Sequence, residues 1–237
     1  MRAAPAVLLA AALIGTGCDG AGDPDSGSPS STGVTTSSSR PAAPPDTQPK
    51  PAPPPSYDVE ATTVDSSQLP YSWRAGCPVG PESLRLLRLD HWGYDALEHR
   101  GQLVVHADQA AAMVEAFRIL FEARFPIERM ELVDVYGGDD AASTFANNTA
   151  GFNCRDAVGN PGVWSQHAYG AAVDINPLVN PYLRGTIVDP RYLDRAVDAP
   201  GLIRAGDGAV RAFESVGWYW GGYWASPDYQ HFSATGS

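Results

Sequence analysis

Apolar and polar positions change rhythm several times between residues 102 and 233, and each rhythm predicts an element. Residues 102–106 (QLVVH) read as a strand, and Asp108 stands where a helix N-cap would. Behind it Met113, Val114, Phe117, Leu120 and Phe121 recur at three- and four-residue steps, which predicts one amphipathic helix ending near Phe125 and Pro126. Residues 131–136 (ELVDVY) alternate like a strand that Gly137 and Gly138 break. Residues 171–176 (AAVDIN) form a short strand stopped by Pro177, and the Pro- and Gly-punctuated stretch 180–201 reads as a long loop. A helix over 207–216, the aromatic run GWYWGGYW and a last strand at 229–233 complete the pattern. Helices and strands alternate irregularly and no nucleotide-type glycine loop occurs. The expected class is therefore α+β, a small and mostly antiparallel sheet with packed helices.

Composition changes the picture at the N-terminal end. Residues 1–17 join Arg2 to an apolar run at 6–14 and then small residues, the form of a secretory signal too short to span a bilayer as a mature helix. The small residues before Cys18 suggest lipidation of that cysteine, and so an exported protein anchored to a membrane and facing the cell wall. Residues 18–65 hold ten of the 21 prolines and almost no large apolar residue, which predicts a disordered tether. Its reach lies between about 40 Å as a coil and about 145 Å as polyproline helix. The folded domain is expected at 66–237, long enough for one core and a monomer. It carries 13 basic and 20 acidic residues of a chain with net charge −11 and shows no basic run, which argues against nucleic acid as a partner. With Cys18 set aside, Cys77 and Cys154 remain, and in an exported protein two cysteines most simply form one disulfide.

The candidate chemistry lies in WSQHAYGAAVDINP (164–177) and in DYQH near the C-terminal end. His167 and Asp174 bracket a bend at Gly170 before a strand, and His231 lies on the last strand. Two imidazoles and a carboxylate are the ligand set of a catalytic zinc site with one open position, and their net charge favours ionising a water held there toward a pKa of about 7. Asp228, three residues before His231, is placed to act as general base without binding the metal. A serine hydrolase triad of Ser165, His167 and Asp174 competes weakly, since Ser165 lacks the G-x-S-x-G elbow. His91, His99 and His106 read as structural. Trp218, Trp220, Tyr223 and Trp224 suit either a cleft wall or the core.

S-x-H-x-x-G-x-A-x-D at 165–174, followed by D-x-x-H at 228–231, resembles the zinc D-alanyl-D-alanine carboxypeptidase and L-alanyl-D-glutamate endopeptidase family, which includes the VanY-type enzymes. The resemblance covers roughly residues 103–232. It implies a fold shared with hedgehog signalling domains, one zinc ion on His167, Asp174 and His231, Asp228 as base, and the peptidoglycan stem peptide as substrate. One departure stands out. Many members carry an arginine in a Tyr-Arg-Ser turn, whereas this chain reads VYGGDD at 135–140. Arg155, Asn147 and Asn148 are the candidate replacements, with Trp220 as a further candidate substrate contact. A rival reading from another class is a catalytically silent wall-binding module that keeps zinc for structure.

Overall fold

The computed structural model describes residues 56–237. The expected signal segment, Cys18 and most of the expected tether lie outside the described residues. The far end of that tether needs correction, because β1 (Val59–Thr63) pairs antiparallel with β2 (Leu84–Trp92) and ordered structure begins before residue 66. The prolines stop at Pro55, and VEATT can offer every backbone N–H to a ladder, as a proline-rich segment cannot. The Tyr57 hydroxyl adds a hydrogen bond to the Val114 carbonyl at 3.2 Å.

β2 turns back into β3 (Glu98–His106), and the two pair over nine residues. Both faces of this hairpin are covered, which explains the nearly continuous apolar run of LRLLRL. Leu87, Leu89, Leu103 and Val105 face α1 (Ala110–Glu122) and its Met113, Phe117 and Leu120. The alternate residues Leu84, Leu86 and Val104 pack on Val64, Leu69, Phe152 and Cys154. The helix starts later than the sequence suggests. His106, rather than Asp108, takes the capping role: its side chain accepts from the Asp108 N–H at 3.2 Å and leads into a 3-10 turn. At the other end the helix stops at Glu122, and Arg124 adopts a left-handed φ of 53°.

The strand expected at 131–136 is absent. A two-residue strand, β4 (Arg129–Met130), gives way to a 3-10 turn at Val133–Tyr136. Asp134 explains the difference, since its carboxylate accepts from the Tyr71 N–H, the Ser72 N–H and the Ser72 hydroxyl at 2.6–2.9 Å. That contact turns the segment toward residues 71–72 and leaves Val135 exposed.

After α2 (Asp140–Phe145), β5 (Asn148–Thr149) pairs parallel to β4. A hairpin of β6 (Asp156–Ala157) and β7 (Asn160–Trp164) follows. A second sheet, in the order β8, β10, β9, joins β8 (Ala172–Asp174), β10 (His231–Ser233) and β9 (Tyr219–Trp220), all antiparallel. The class is α+β as expected, but the main sheet is divided in two. α3 (Gly208–Ser215) lies between α1 and the second sheet: Phe213 stacks on Phe232 of β10 with ring centroids 4.1 Å apart and meets Phe117 of α1 edge-on. Among the described residues no helix is long and apolar enough to cross a membrane.

The long loop after β8 is held by polar side chains. Asn180 is fully buried and donates to the carbonyls of Ile175, Asn176 and Gly201, while its Oδ1 accepts from the Ile203 N–H and from Arg195. Cys77 and Cys154 form the expected disulfide, which ties the segment before β2 to the chain leading into β6.

Two measurements check this frame. In a Cys18→Ser chain, unfolded without reductant, thiol labelling is expected to find no free thiol, and reduction should release two and lower stability by up to about 4 kcal/mol. Asn180→Ala removes five hydrogen bonds and strands buried backbone groups. Its urea midpoint should correspond to a loss of about 3 kcal/mol or more, and a loss under about 1 kcal/mol would show that the loop is held by other means.

Candidate metal centre and cleft

Three short pieces of backbone bring the candidate ligands together. Ser165 accepts the His167 N–H and caps a 3-10 turn at Gln166–Tyr169, which Gly170 ends with a left-handed φ of 65°. A Cβ at Gly170 would lie 2.5 Å from the His106 nitrogen, which donates to the Gly170 carbonyl, so glycine is required twice over at this bend. β8 then carries Asp174 to the position directly opposite His231 on β10. Opposed residues of antiparallel strands project from the same face, so this register alone aligns the carboxylate with the second imidazole.

The orientation of His167 follows from the backbone behind it. Its Nδ1 lies 2.6 Å from the Gly151 carbonyl, an acceptor only, so Nδ1 carries the proton and Nε2 presents a lone pair. That Nε2 faces Asp174 Oδ2 at 3.2 Å and His231 Nδ1 at 3.2 Å, and His231 Nδ1 faces Asp174 Oδ1 at 3.0 Å. All three residues are buried, and their donor atoms lie within 4.8 Å of one another. Such converging electron pairs need a cation or shared protons between them. Burial opposes the charge on Asp174, yet positive charge shared with the two imidazoles, as a proton between the facing atoms, outweighs it and holds the carboxyl well below the usual range. Two nitrogens and one carboxylate oxygen, one histidine fixed by a carbonyl, fit a divalent metal with nitrogen preference.

Asp228 sits beside this group on a tight turn. Its N–H donates to the Gly221 carbonyl at 3.0 Å, and a Cβ at Gly221 would lie 2.8 Å from the Asp228 carbonyl oxygen. The residue is 6% exposed, and Oδ1 is buried without a hydrogen-bond partner among the described residues. Burial pushes its carboxyl up to about 7; His231 pulls in the opposite direction and Asp174 adds to the rise. Both acids are therefore buried in one site, but their surroundings drive their protonation in opposite senses.

These groups open onto a cleft of about 360 Å³. Its walls include Asp140, Arg155, Trp164, Tyr182, Ile187 and Trp224, and the Trp224 ring lies 5.3 Å from the His231 ring. Arg155 reaches the cleft and is braced by Asp140 at 2.7 Å. The other expected substrate contacts do not reach it. Asn147 donates to Glu128 and to the Tyr94 hydroxyl and accepts from the Leu178 and Val179 N–H groups. Asn148 bridges Glu131 and Ser143. Both amides are consumed in holding loops. Trp220 is buried in the core with its indole N–H on the Tyr229 carbonyl, and Trp224 walls the cleft instead. Ser165 lines the cleft and accepts the His167 N–H, but the His167 ring faces the Gly151 carbonyl, Asp174 and His231, so its nitrogens are not turned to the Ser165 hydroxyl as a triad requires. His91, His99 and His106 lie outside the cleft; His91 is buried, and its Nδ1 is 3.4 Å from the Trp92 carbonyl.

Gln230 is the residue that the sequence reading passed over. It is buried, lines the cleft and donates from Nε2 to Asp174 Oδ2 at 3.2 Å. Its place inside D-x-x-H, next to a candidate ligand on a strand, was the available signal. Tyr182 and Ile187 had none, because they come from the loop between motifs.

A protein-family model described as D-alanyl-D-alanine carboxypeptidase matches residues 158–234. No curated protein and no solved structure matches the chain. The matched third of the chain contains His167, Asp174, Asp228 and His231, and over those residues the chain is similar to that family, which supports a peptidase in the broad sense.

Proposed function

We propose that this protein is a zinc-dependent peptidase that hydrolyses an amide bond in peptidoglycan stem peptides. The observation that carries the reading is a buried carboxylate, Asp228, whose Oδ1 has no hydrogen-bond partner among the described residues, beside three converging metal-ligating groups in an open cleft. His167, Asp174 and His231 would hold the ion. Zinc bound there supplies a Lewis acid for the scissile carbonyl and lowers the pKa of water. Asp228 takes the proton from the attacking water and returns it to the leaving amine. Gln230 and the Gly151 carbonyl keep Asp174 and His167 in place while this happens. Arg155, on the cleft wall, receives a carboxylate of the peptide.

The rival reading as a silent wall-binding module has less to recommend it. A structural zinc site is normally closed by a fourth protein ligand, and it has no use for a buried carboxylate held short of hydrogen bonds. For location we propose export and lipidation at Cys18, which would hold the domain at the membrane on the wall side.

Three substitutions separate these statements. Asp228→Asn is expected to keep zinc and fold while losing about 10²–10⁴-fold in rate, measured by mass spectrometry of digested wall fragments beside zinc stoichiometry. Full activity in that variant would remove Asp228 as base, and loss of zinc would make it a ligand. His231→Ala should instead lose zinc along with some stability, because ligand removal weakens metal binding and folding together. Cys18→Ser should move the protein from the membrane fraction to the medium, and a wild-type protein already wholly soluble would end the anchor proposal.

A further inference from the structure

We propose that Arg195 is a positioning residue for Asp228, acting through Tyr229 and through the loop segment that pairs with the turn around that carboxylate. The proposal rests on the reading of Asp228 as general base.

Arg195 lies in the long loop after β8, far in sequence from either motif. Among the described residues no carboxylate stands within salt-bridge distance of it, and its Nε is buried without a partner. Burial lowers its pKa to about 10. A desolvated guanidinium without a counter-ion is costly unless its hydrogen bonds are met. Here the loop itself meets four of the five, all but that of Nε. Nη1 donates to the carbonyls of Val179 at 2.8 Å and Tyr192 at 2.9 Å. Nη2 donates to Asn180 Oδ1 at 2.7 Å and to the Ile203 carbonyl at 2.9 Å. The fork thus fixes both arms of the loop at once, which the single point charge of a lysine does not do.

The same guanidinium lies over the Tyr229 ring, with its carbon 4.4 Å from the ring centroid, at a distance where a cation is attracted to the face. Tyr229 follows Asp228 directly. From the other side, Val179 and Asn180 lead straight into residues 181–183, which run against residues 227–229. The Leu183 N–H donates to the Pro227 carbonyl at 3.0 Å, the Tyr229 N–H to the Pro181 carbonyl at 3.4 Å, and Tyr182 bridges Asp228 itself. Asp228 is therefore the middle residue of a short paired segment, and Arg195 secures both the partner strand and the adjoining ring. Gly221 closes the opposite flank, where there is no space for the turn to move. A base displaced by about 1 Å can cost on the order of 100-fold in rate, so this bracing bears on turnover more than on binding.

A double-mutant cycle on the full, zinc-loaded chain tests the coupling. The kcat and KM for purified peptidoglycan fragments are measured in wild type, Arg195→Met, Asp228→Asn and the double variant, with zinc stoichiometry for each. Arg195→Met should lower kcat about 10- to 100-fold with KM within about twofold, and zinc should stay at one per chain. In the Asp228→Asn background the same substitution should cost less than about twofold, because no base remains to misplace. Equal losses in both backgrounds, or a loss explained by KM or by missing zinc, would overturn the proposal. If Arg195→Met does not fold, Arg195→Lys and Tyr229→Leu enter the same cycle; the lysine, which keeps the charge over the ring, should give an intermediate kcat and the same non-additivity, and additivity there would equally overturn it. Full activity in Asp228→Asn alone would refute the base assignment and is read separately from the coupling.

Discussion

The structure turns on the pairing of Asp174 with His231 across two three-residue strands. That register places a carboxylate and an imidazole on one face, and the Gly151 carbonyl turns a second imidazole toward them. Three buried groups that present electron pairs to one another form an arrangement no apolar packing would favour. Something rigid must hold them, and the fold supplies it from beneath. Val173 and Phe232, the residues beside Asp174 and His231 in the same ladder, point the other way into the core, where Phe232 stacks on Phe213. Strand alternation thus converts one register into two consequences, an apolar anchor below and a polar site above.

The rest of the chain braces that site with polar groups more than with apolar mass. Asn147, Asn148, Asn176 and Asn180 are all buried, and each bonds loop backbone. They act where regular ladders are too short to satisfy N–H and C=O groups, because most strands beyond β3 have only two or three residues. The disulfide does similar work on the wall that carries Arg155, since Cys154 is fixed to Cys77 and its N–H donates to the Ser72 carbonyl. The cleft is built from loops pinned at several points by side chains that do not line it.

Much of this was legible in the sequence because the decisive signals were short-range. The helix around Phe117, the bend at Gly170 and the α+β class follow from spacing and from glycine. Long-range compensation was hidden. Asp134 overrides an alternating pattern by bonding residues about sixty positions away, and VEATT becomes a strand only because β2 offers it an edge. Asn147 and Asn148 have the composition of a binding loop, and nothing local reveals that their amides are already spent. Trp220 and Trp224 are four residues apart in one aromatic run, yet one fills the core and the other walls the cleft, a division set by the pairing of β9 with β10. The site was readable where two motifs met, and unreadable where the loop from residue 176 to 203 folds back over it.

In the function proposed, His167, Asp174 and His231 hold one metal ion through two imidazole nitrogens and one carboxylate oxygen. X-ray absorption at the zinc edge of the purified chain tests it most directly, beside the metal content. One zinc per chain is expected, with light-atom ligands at about 2.0–2.1 Å and the outer scattering of two imidazole rings. A sulfur shell at about 2.3 Å, scattering from no more than one imidazole, or zinc bound well below one per chain would contradict it.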